Sequence, residues 1–229
     1  MSEENIHPKI TKDGSHTLYT STYDEHYHSV HGALQESLHV FIESGLRACE
    51  TSSEKVRIFE MGLGTGLNVL LTSLEERTKP IHYVAVEAIP LNWEQVKELN
   101  YPAAIGHKQA VNYHQKIHQS PWGEDVQLHS HFTFKKIAGK LEEISFPGEY
   151  FDVFYFDAFA PDTQPELWTE EIFRKLYSWA KDGAVWVTYS AKGQVRRNLI
   201  SAGWEVEKIP GPPGKREMLR ARKQRKNRE

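Results

Sequence analysis

Glu60-Met61-Gly62-Leu63-Gly64-Thr65-Gly66-Leu67-Asn68 joins an apolar run, Val56 to Glu60, to a segment from Leu67 to Arg77 whose apolar residues recur at helical spacing. A strand that passes into a helix through three alternate glycines marks the carboxyl edge of a doubly wound α/β sheet, the place where such sheets bind ligands. Glycine at 62, 64 and 66 lets the backbone approach a ligand with no Cβ in the way, and the helix start beyond offers positive potential to a carboxylate. A dinucleotide turn calls for a glycine where the chain has Leu67, and a phosphate loop calls for a lysine that is absent here. What remains is an acid-x-Gly-x-Gly-x-Gly turn, or a tight turn with no ligand at all.

Working outward, the strand Ile81 to Glu87 completes a β-α-β unit. A helix near Asn92 to Asn100, a strand near Phe132 to Ile137, a short segment around Leu141 and the apolar strand Phe151 to Asp157 follow. The helix Trp168 to Ala180, the strand Ala184 to Tyr189, the helix Gln194 to Ala202 and closing strands near Trp204 to Lys208 and Glu217 to Ala221 complete the alternation. This rhythm predicts an α/β fold of Rossmann-like type: a doubly wound, mostly parallel sheet with an antiparallel edge. Ahead of it, Lys9 to Thr22 reads as a hairpin turning at Asp13-Gly14, and Leu34, Leu38, Phe41, Ile42 and Leu46 place one apolar face on a helix from Gly32 to Arg47. The expected division is an N-terminal hairpin and helix over 1–50, a ligand-binding domain over 51–222 and a basic tail over 223–229.

A chain of 229 residues, 39% hydrophobic and 26% charged, can bury one sizeable core. Its apolar runs fall far short of the roughly 20 residues a membrane helix needs, so no membrane span is expected. Met1-Ser2-Glu3-Glu4-Asn5 has no leader character, which points to the cytoplasm. Cys49 is the only cysteine, which excludes an internal disulfide and a thiolate cage; His26, His28 and His31 lack the further ligands a metal site needs, so no metal is expected. The net charge of −3 is uneven: Lys215 to Glu229 holds eight Lys or Arg and two Glu, giving +6 and leaving −9 for the remainder. A solvated terminus and a nucleic-acid contact both fit such a run.

Two carboxylates stand where the chemistry needs them. Glu87 ends the second strand, 21 residues after Gly66, where an acid can accept two hydrogen bonds from a ribose diol. Asp157 ends the strand Phe151 to Asp157 at the same edge and opens Ala158-Phe159-Ala160-Pro161. A carboxylate there can hold an amine, take its proton and stabilise growing positive charge, or else simply cap a turn. Asp162, Glu166 and Trp168 cap the next helix or wall the pocket.

The acid-glycine turn resembles the first motif of S-adenosylmethionine methyltransferases. Nearly the whole chain resembles the methyltransferase domain of MnmC-type tRNA 5-aminomethyluridine methyltransferases. This resemblance rests on Glu25-His26-Tyr27-His28-Ser29 with Gly32-Ala33 and Gln35-Glu36, on the glycine turn through Asn68, and on Glu87-Ala88-Ile89-Pro90-Leu91. It rests further on Asp157-Ala158-Phe159-Ala160-Pro161, Pro165-Glu166-Leu167-Trp168, Tyr189-Ser190-Ala191 with Val195-Arg196-Arg197, and Gly214-Lys215-Arg216-Glu217-Met218-Leu219.

The resemblance implies methyl transfer from S-adenosyl-L-methionine to the exocyclic amine of a 5-aminomethyl(-2-thio)uridine at the tRNA wobble position, with Asp157 as the catalytic carboxylate. It implies cofactor contacts from Tyr27, Ser29, Gln35, Glu60, Gly62, Gly64, Thr65, Gly66, Asn68, Glu87 and Ala88. It implies substrate or RNA contacts from Phe159, Pro161, Trp168, Arg196, Arg197, Lys215 and Arg216, and an aromatic residue that stacks the target base. Many such relatives carry a fused flavin-dependent oxidase; a chain of this length is expected to hold no flavin domain. Relatives also place an acid after the third strand, against the adenine amine. Ile137-Ala138-Gly139-Lys140 has none, which leaves backbone groups or Glu142 and Glu143. Competing readings are a methyltransferase of this fold on another amine or RNA, a non-catalytic RNA-binding relative, and a nicotinamide enzyme, the last disfavoured by Leu67.

Overall fold

Asp13-Gly14 turns the chain between two short strands, β1 (Ile6–Ile10) and β2 (His16–Thr20), and Gly14 takes the left-handed φ of 82° that the turn requires. A two-residue strand, β3 (Glu25–His26), adds to β2, so the N-terminal region is a three-stranded antiparallel sheet. The structure, a computed structural model, describes residues 6–225. Met1 to Asn5, where no leader is expected, and the last four residues of the basic tail lie outside the described residues.

The helix expected over Gly32 to Arg47 is α-helical only in α1 (Ala33–Ser37) and continues as a π-helix over Leu38–Leu46. Gly45 explains the close fit of this segment: a Cβ there would stand 3.0 Å from both the Tyr155 ring and Val187, so the helix backbone lies almost on the sheet. Phe41, Ile42 and Leu46 are fully buried against it, in one core with Leu18 and Val56.

The main sheet contains β4 (Val56–Met61), β5 (Ile81–Glu87), β6 (Asp125–His129), β7 (Phe132–Ala138), β8 (Phe151–Phe156), β9 (Ala180–Thr188), β10 (Glu205–Pro210) and β11 (Glu217–Arg222). Their order is β10-β11-β9-β8-β4-β5-β7-β6. The five central strands are parallel, and the edge strands β6, β10 and β11 enter by antiparallel pairing. β4, β5 and β8 are almost continuous apolar runs, which are stable only when helices cover both faces. One face packs Phe41, Tyr83 and Tyr155; the other packs Phe154, Phe173, Trp179 and Trp186.

The helices are α2 (Leu67–Ser73), α3 (Trp93–Val96), α4 (Tyr101–Ile105), α5 (Ala110–Gln119), α6 (Glu170–Trp179) and α7 (Gly193–Ser201). The stretch expected as one helix over Asn92 to Asn100 holds only α3, opened by a reciprocal cap between Asn92 and Gln95. Pro102 then starts a separate turn, α4.

Chain order and strand order together locate the ligand crevice. The chain winds from β4 through β5 to β7 on one side, then crosses to β8 and β9 on the other, so the switch point lies between β4 and β8. The basic C-terminal run divides along β11. Its start pairs beside Thr188 at this same edge, whereas Arg222 pairs with Val185 toward the far edge. There Arg220 bonds Glu207, Arg222 donates to the Ala48 carbonyl at 3.1 Å, and buried Lys223 donates to the Ala180 carbonyl at 2.8 Å. These cations are part of the fold; among the described residues of the basic run, Lys215 lines the cavity at the crevice edge.

Candidate active site

β4 and β8 lie side by side with Met61 opposite Phe156, so the residues that follow each strand meet. The Asp157 amide donates to the Met61 carbonyl at 2.9 Å, and the Gly62 amide donates to Val86 of β5 at 3.0 Å. Gly62 has a left-handed φ of 89°, and a Cβ on it would fall 2.6 Å from the Asp157 carbonyl oxygen; only glycine lets the two segments touch. Gly64 is pressed from the other side by the Tyr27 ring, 3.1 Å from where its Cβ would be. Its amide donates to Glu87 Oε2 at 2.9 Å, and the Ile89 amide donates to Glu87 Oε1 at 2.9 Å, which fixes the carboxylate at the strand end with acceptor capacity to spare.

A cavity of about 600 Å³ opens over this edge. Tyr27, Ser29, Gly62, Gly64, Thr65, Asn68, Glu87, Ala88, Asp157, Phe159 and Lys215 all line it, so most of the residues singled out from the sequence converge. Others do not. Gln35 is exposed, its backbone N–H donating to Asp13 Oδ2, and Gly66 caps α2 beneath the cavity with a left-handed φ of 73°. Glu60 is wholly buried behind the wall rather than in it. Trp168, only 3% exposed, packs on Phe156 and donates its indole N–H to the Phe159 carbonyl at 2.9 Å; it braces the loop and offers no face to a ligand. Pro161, Arg196, Arg197 and Arg216 lie outside the lining, and Arg197 donates to Gln194 at 2.7 Å.

Asn68 ties the two acids together. Its Nδ2 donates to Asp157 Oδ2 at 2.8 Å and to Glu60 Oε1 at 3.0 Å, using both amide hydrogens. Burial, with the charge of Asp157 second, holds the Glu60 carboxyl well above the usual carboxylate range, which favours its neutral form. Burial first, then the charge of Glu36, pushes Asp157 up to about 8 against the Asn68 hydrogen bond and the Lys215 charge. A carboxyl poised there exchanges a proton near neutral pH.

The opposite wall comes from the N-terminal sheet and the Gly214 loop. Glu36, 7% exposed, accepts from the Ser29 amide at 2.8 Å and from Lys215 Nζ at 3.0 Å. The same ammonium stands 4.0 Å from the centre of the Tyr189 ring, whose hydroxyl donates to the Ala158 carbonyl at 2.9 Å. Glu36 rather than Gln35 is therefore the inward residue, and helical phase could have shown it: Glu36 shares a buried face with Ala33, Ser37 and Val40. Tyr23 and Tyr27 pack on Phe159 at 4.7 and 5.1 Å, giving the cavity an aromatic corner. In place of an acid after β7, Leu141 and Glu142 line the cavity opposite Ile89, while Glu143 does not. The three clustered histidines diverge: His26 contacts Lys9, buried His28 packs on Tyr101, and His31 contacts Lys12. Among the described residues no group of three or more His, Cys, Asp or Glu could hold a metal ion, and no helix is long and apolar enough to cross a membrane.

A sulfonium nucleoside requires close backbone approach, an acceptor for ribose hydroxyls, and negative or aromatic surroundings for its positive sulfur. The glycine turn, Glu87, and Asp157 with Tyr27 meet these needs in one cavity.

Comparison with known proteins agrees. A family model described as S-adenosyl-L-methionine-dependent methyltransferase matches residues 97–224, downstream of the glycine turn. The tRNA 5-methylaminomethyl-2-thiouridine biosynthesis bifunctional protein MnmC of Cupriavidus metallidurans is 34% identical over 96% of this chain and 34% of its own length. Its namesake in Actinobacillus pleuropneumoniae is 28% identical over 92% of this chain and 34% of its own length. The chain thus spans about a third of the length of these relatives. The crystal structure of MNMC2 from Aquifex aeolicus superposes with a TM-score of 0.75 at 24% identity, covering 96% of this chain and 71% of that one. Spermidine synthase from Thermotoga maritima shares the fold at a TM-score of 0.57 and 11% identity, covering 99% and 71%. With a model of that description matching more than half of its residues, the chain belongs to the S-adenosyl-L-methionine-dependent methyltransferase family, in its MnmC-type branch.

Proposed function

We propose that this protein methylates the exocyclic amine of a 5-aminomethyl(-2-thio)uridine at the wobble position of tRNA, giving the 5-methylaminomethyl product. The observation that carries this reading is the contact between the glycine turn and Asp157, with a carboxyl poised near neutrality opening into a partly aromatic cavity. The tRNA biosynthesis named for the relatives supplies the acceptor class.

When bound, S-adenosyl-L-methionine supplies an electrophilic methyl group. Gly62, Gly64 and Thr65 would pass along it, Glu87 would accept from its ribose, and Ile89 and Leu141 would flank its adenine, with backbone or Glu142 as polar partners. Tyr23, Tyr27 and Phe159 would hold the extruded uracil ring, as exposed aromatic faces do for unpaired bases. The amine attacks as the free base, because its lone pair forms the new N–C bond while the methyl carbon–sulfur bond breaks. Asp157 takes the departing N–H proton, and its charge opposes that of the developing ammonium. Asn68 fixes Asp157 Oδ2, leaving Oδ1 for the acceptor. Holding amine and methyl in line contributes much of the remaining acceleration.

Incubation of undermodified tRNA with the protein and methyl-labelled cofactor, followed by nucleoside mass spectrometry, tests the reading. Label is expected in 5-methylaminomethyl-type uridine alone. Label in another nucleoside, or only in a small amine, overturns it.

A further inference from the structure

The N-terminal sheet has an outward face that the reaction chemistry leaves unused. Strand register sets His7 opposite Tyr19 and Tyr19 opposite His26, so three rings form one row across β1, β2 and β3. Their centroids are 5.1 and 5.3 Å apart. Lys9 projects from the same face, its Nζ 3.4 Å from His26 Nε2, and Lys12 stands at the turn that closes the hairpin. Leu18, by contrast, points into the core and is 1% exposed.

Position gives the row its meaning. His26, its inner end, lines the cavity, as do Tyr23 and Tyr27, whose rings pack on Phe159. The row's inner end and a second aromatic cluster thus share the cavity that Asp157 lines. Burial and the neighbouring charges of Lys9 and His7 hold His26 below its ordinary range, which favours the uncharged ring. The nearest carboxylate on the face, Asp24, is engaged by the Tyr19 hydroxyl at 2.6 Å. With few cations and several rings, the face suits bases rather than a phosphate backbone. Duplex binding draws mainly on Lys and Arg, whereas unpaired strands are held by stacking on rings along a path of modest charge.

We propose that the His7-Tyr19-His26 row, edged by Lys9, is a stacking platform for the unpaired nucleobases that flank the methylated nucleotide in the substrate RNA loop. The proposal rests on the reading above, that the acceptor is a nucleoside within RNA.

Methylation kinetics of an anticodon stem-loop bearing 5-aminomethyluridine, set beside those of the free nucleoside, provide the test. Tyr19→Ala is expected to raise the stem-loop KM roughly tenfold, and His7→Ala several-fold, the size usual for losing one base stack. Tyr19→Phe keeps the ring and is expected to restore the wild-type KM. In all three variants kcat at saturation, cofactor Kd and the KM for the free nucleoside should stay at wild-type values, which also verifies folding. A Tyr19→Ala/His7→Ala double variant with wild-type stem-loop KM overturns the platform alone. Wild-type protein that methylates neither stem-loop nor nucleoside overturns the RNA reading and the platform with it.

Discussion

The two walls of the cavity are built in different ways. One wall is the end of the parallel sheet: Gly62 to Asn68, Glu87 and Asp157 follow directly from buried, regularly paired strands, and backbone contacts fix their spacing. The other wall is assembled from Tyr23 to Glu36, Phe159, Tyr189 and Lys215, segments far apart in sequence that are joined by side-chain hydrogen bonds and an ion pair. The sheet wall can place a cofactor with little adjustment. The assembled wall is the one proposed to meet the acceptor, and such walls are where relatives of one fold can diverge in substrate. Asp157 stands at the seam between them.

The largest expected effect breaks the comparison at that seam. Asp157→Asn keeps the shape and the backbone contact to Met61 but removes the proton acceptor, so kcat should fall by about 10²- to 10⁴-fold. Cofactor affinity, measured by calorimetry, should stay close to wild type, because the glycine turn and Glu87 are untouched. An equal loss in both quantities would erase the division between a cofactor wall and an acceptor wall. Gly62→Ala strikes the sheet wall itself. The new Cβ would need a left-handed backbone, costing ~1–2 kcal/mol, and would meet the Asp157 carbonyl at 2.6 Å, so the peptide at 157–158 has to shift. Cofactor affinity should drop roughly tenfold or more on that strain alone, and calorimetric affinity at the wild-type level would show that the close approach is dispensable.

This division also explains how much could be read in advance. The sheet wall was legible because period and glycine spacing are local signals: Ile81 to Glu87 is the strand β5 without adjustment, and Glu87 and Asp157 fall at strand ends as expected. Edge elements were not. α5 buries only Ala110, His114 and Ile117 among polar neighbours, too thin a stripe to register as amphipathic, and β6 is a mostly exposed edge strand. The π-helical continuation of α1 depends on how Gly45 meets Tyr155 and Val187, a tertiary contact with no local trace. The assembled wall was half legible. Motif resemblance pointed to Tyr27, Ser29 and Lys215, but the pairing of Lys215 with Glu36 links residues 179 positions apart. Glu60, part of the turn motif, is a buried acid behind the wall, joined to it through Asn68.

Asn68 offers the finest test, since it lies on the cofactor wall yet acts on the proton. Its amide lowers the pKa of Asp157 by favouring the charged carboxylate, against the burial that raises it to about 8. In the proposed mechanism only deprotonated Asp157 accepts the amine proton, so the rate should rise with pH through that region and level off above it. Asn68→Ala removes the hydrogen bond, Asp157 climbs further, and the ascending limb of the kcat/KM profile moves to higher pH. At pH 7 the loss should be about tenfold, the lower end for a hydrogen bond to a charged group, and it should shrink as pH approaches 9 while cofactor affinity holds. Glu60→Gln supplies the control. Burial already favours the neutral form of Glu60, and a neutral amide of the same shape can still present an oxygen to Asn68, so the limb should stay in place. A profile that moves with Glu60→Gln but not with Asn68→Ala would transfer the control of Asp157 from the amide to the buried acid, because only a charge on Glu60 could then be acting across the gap.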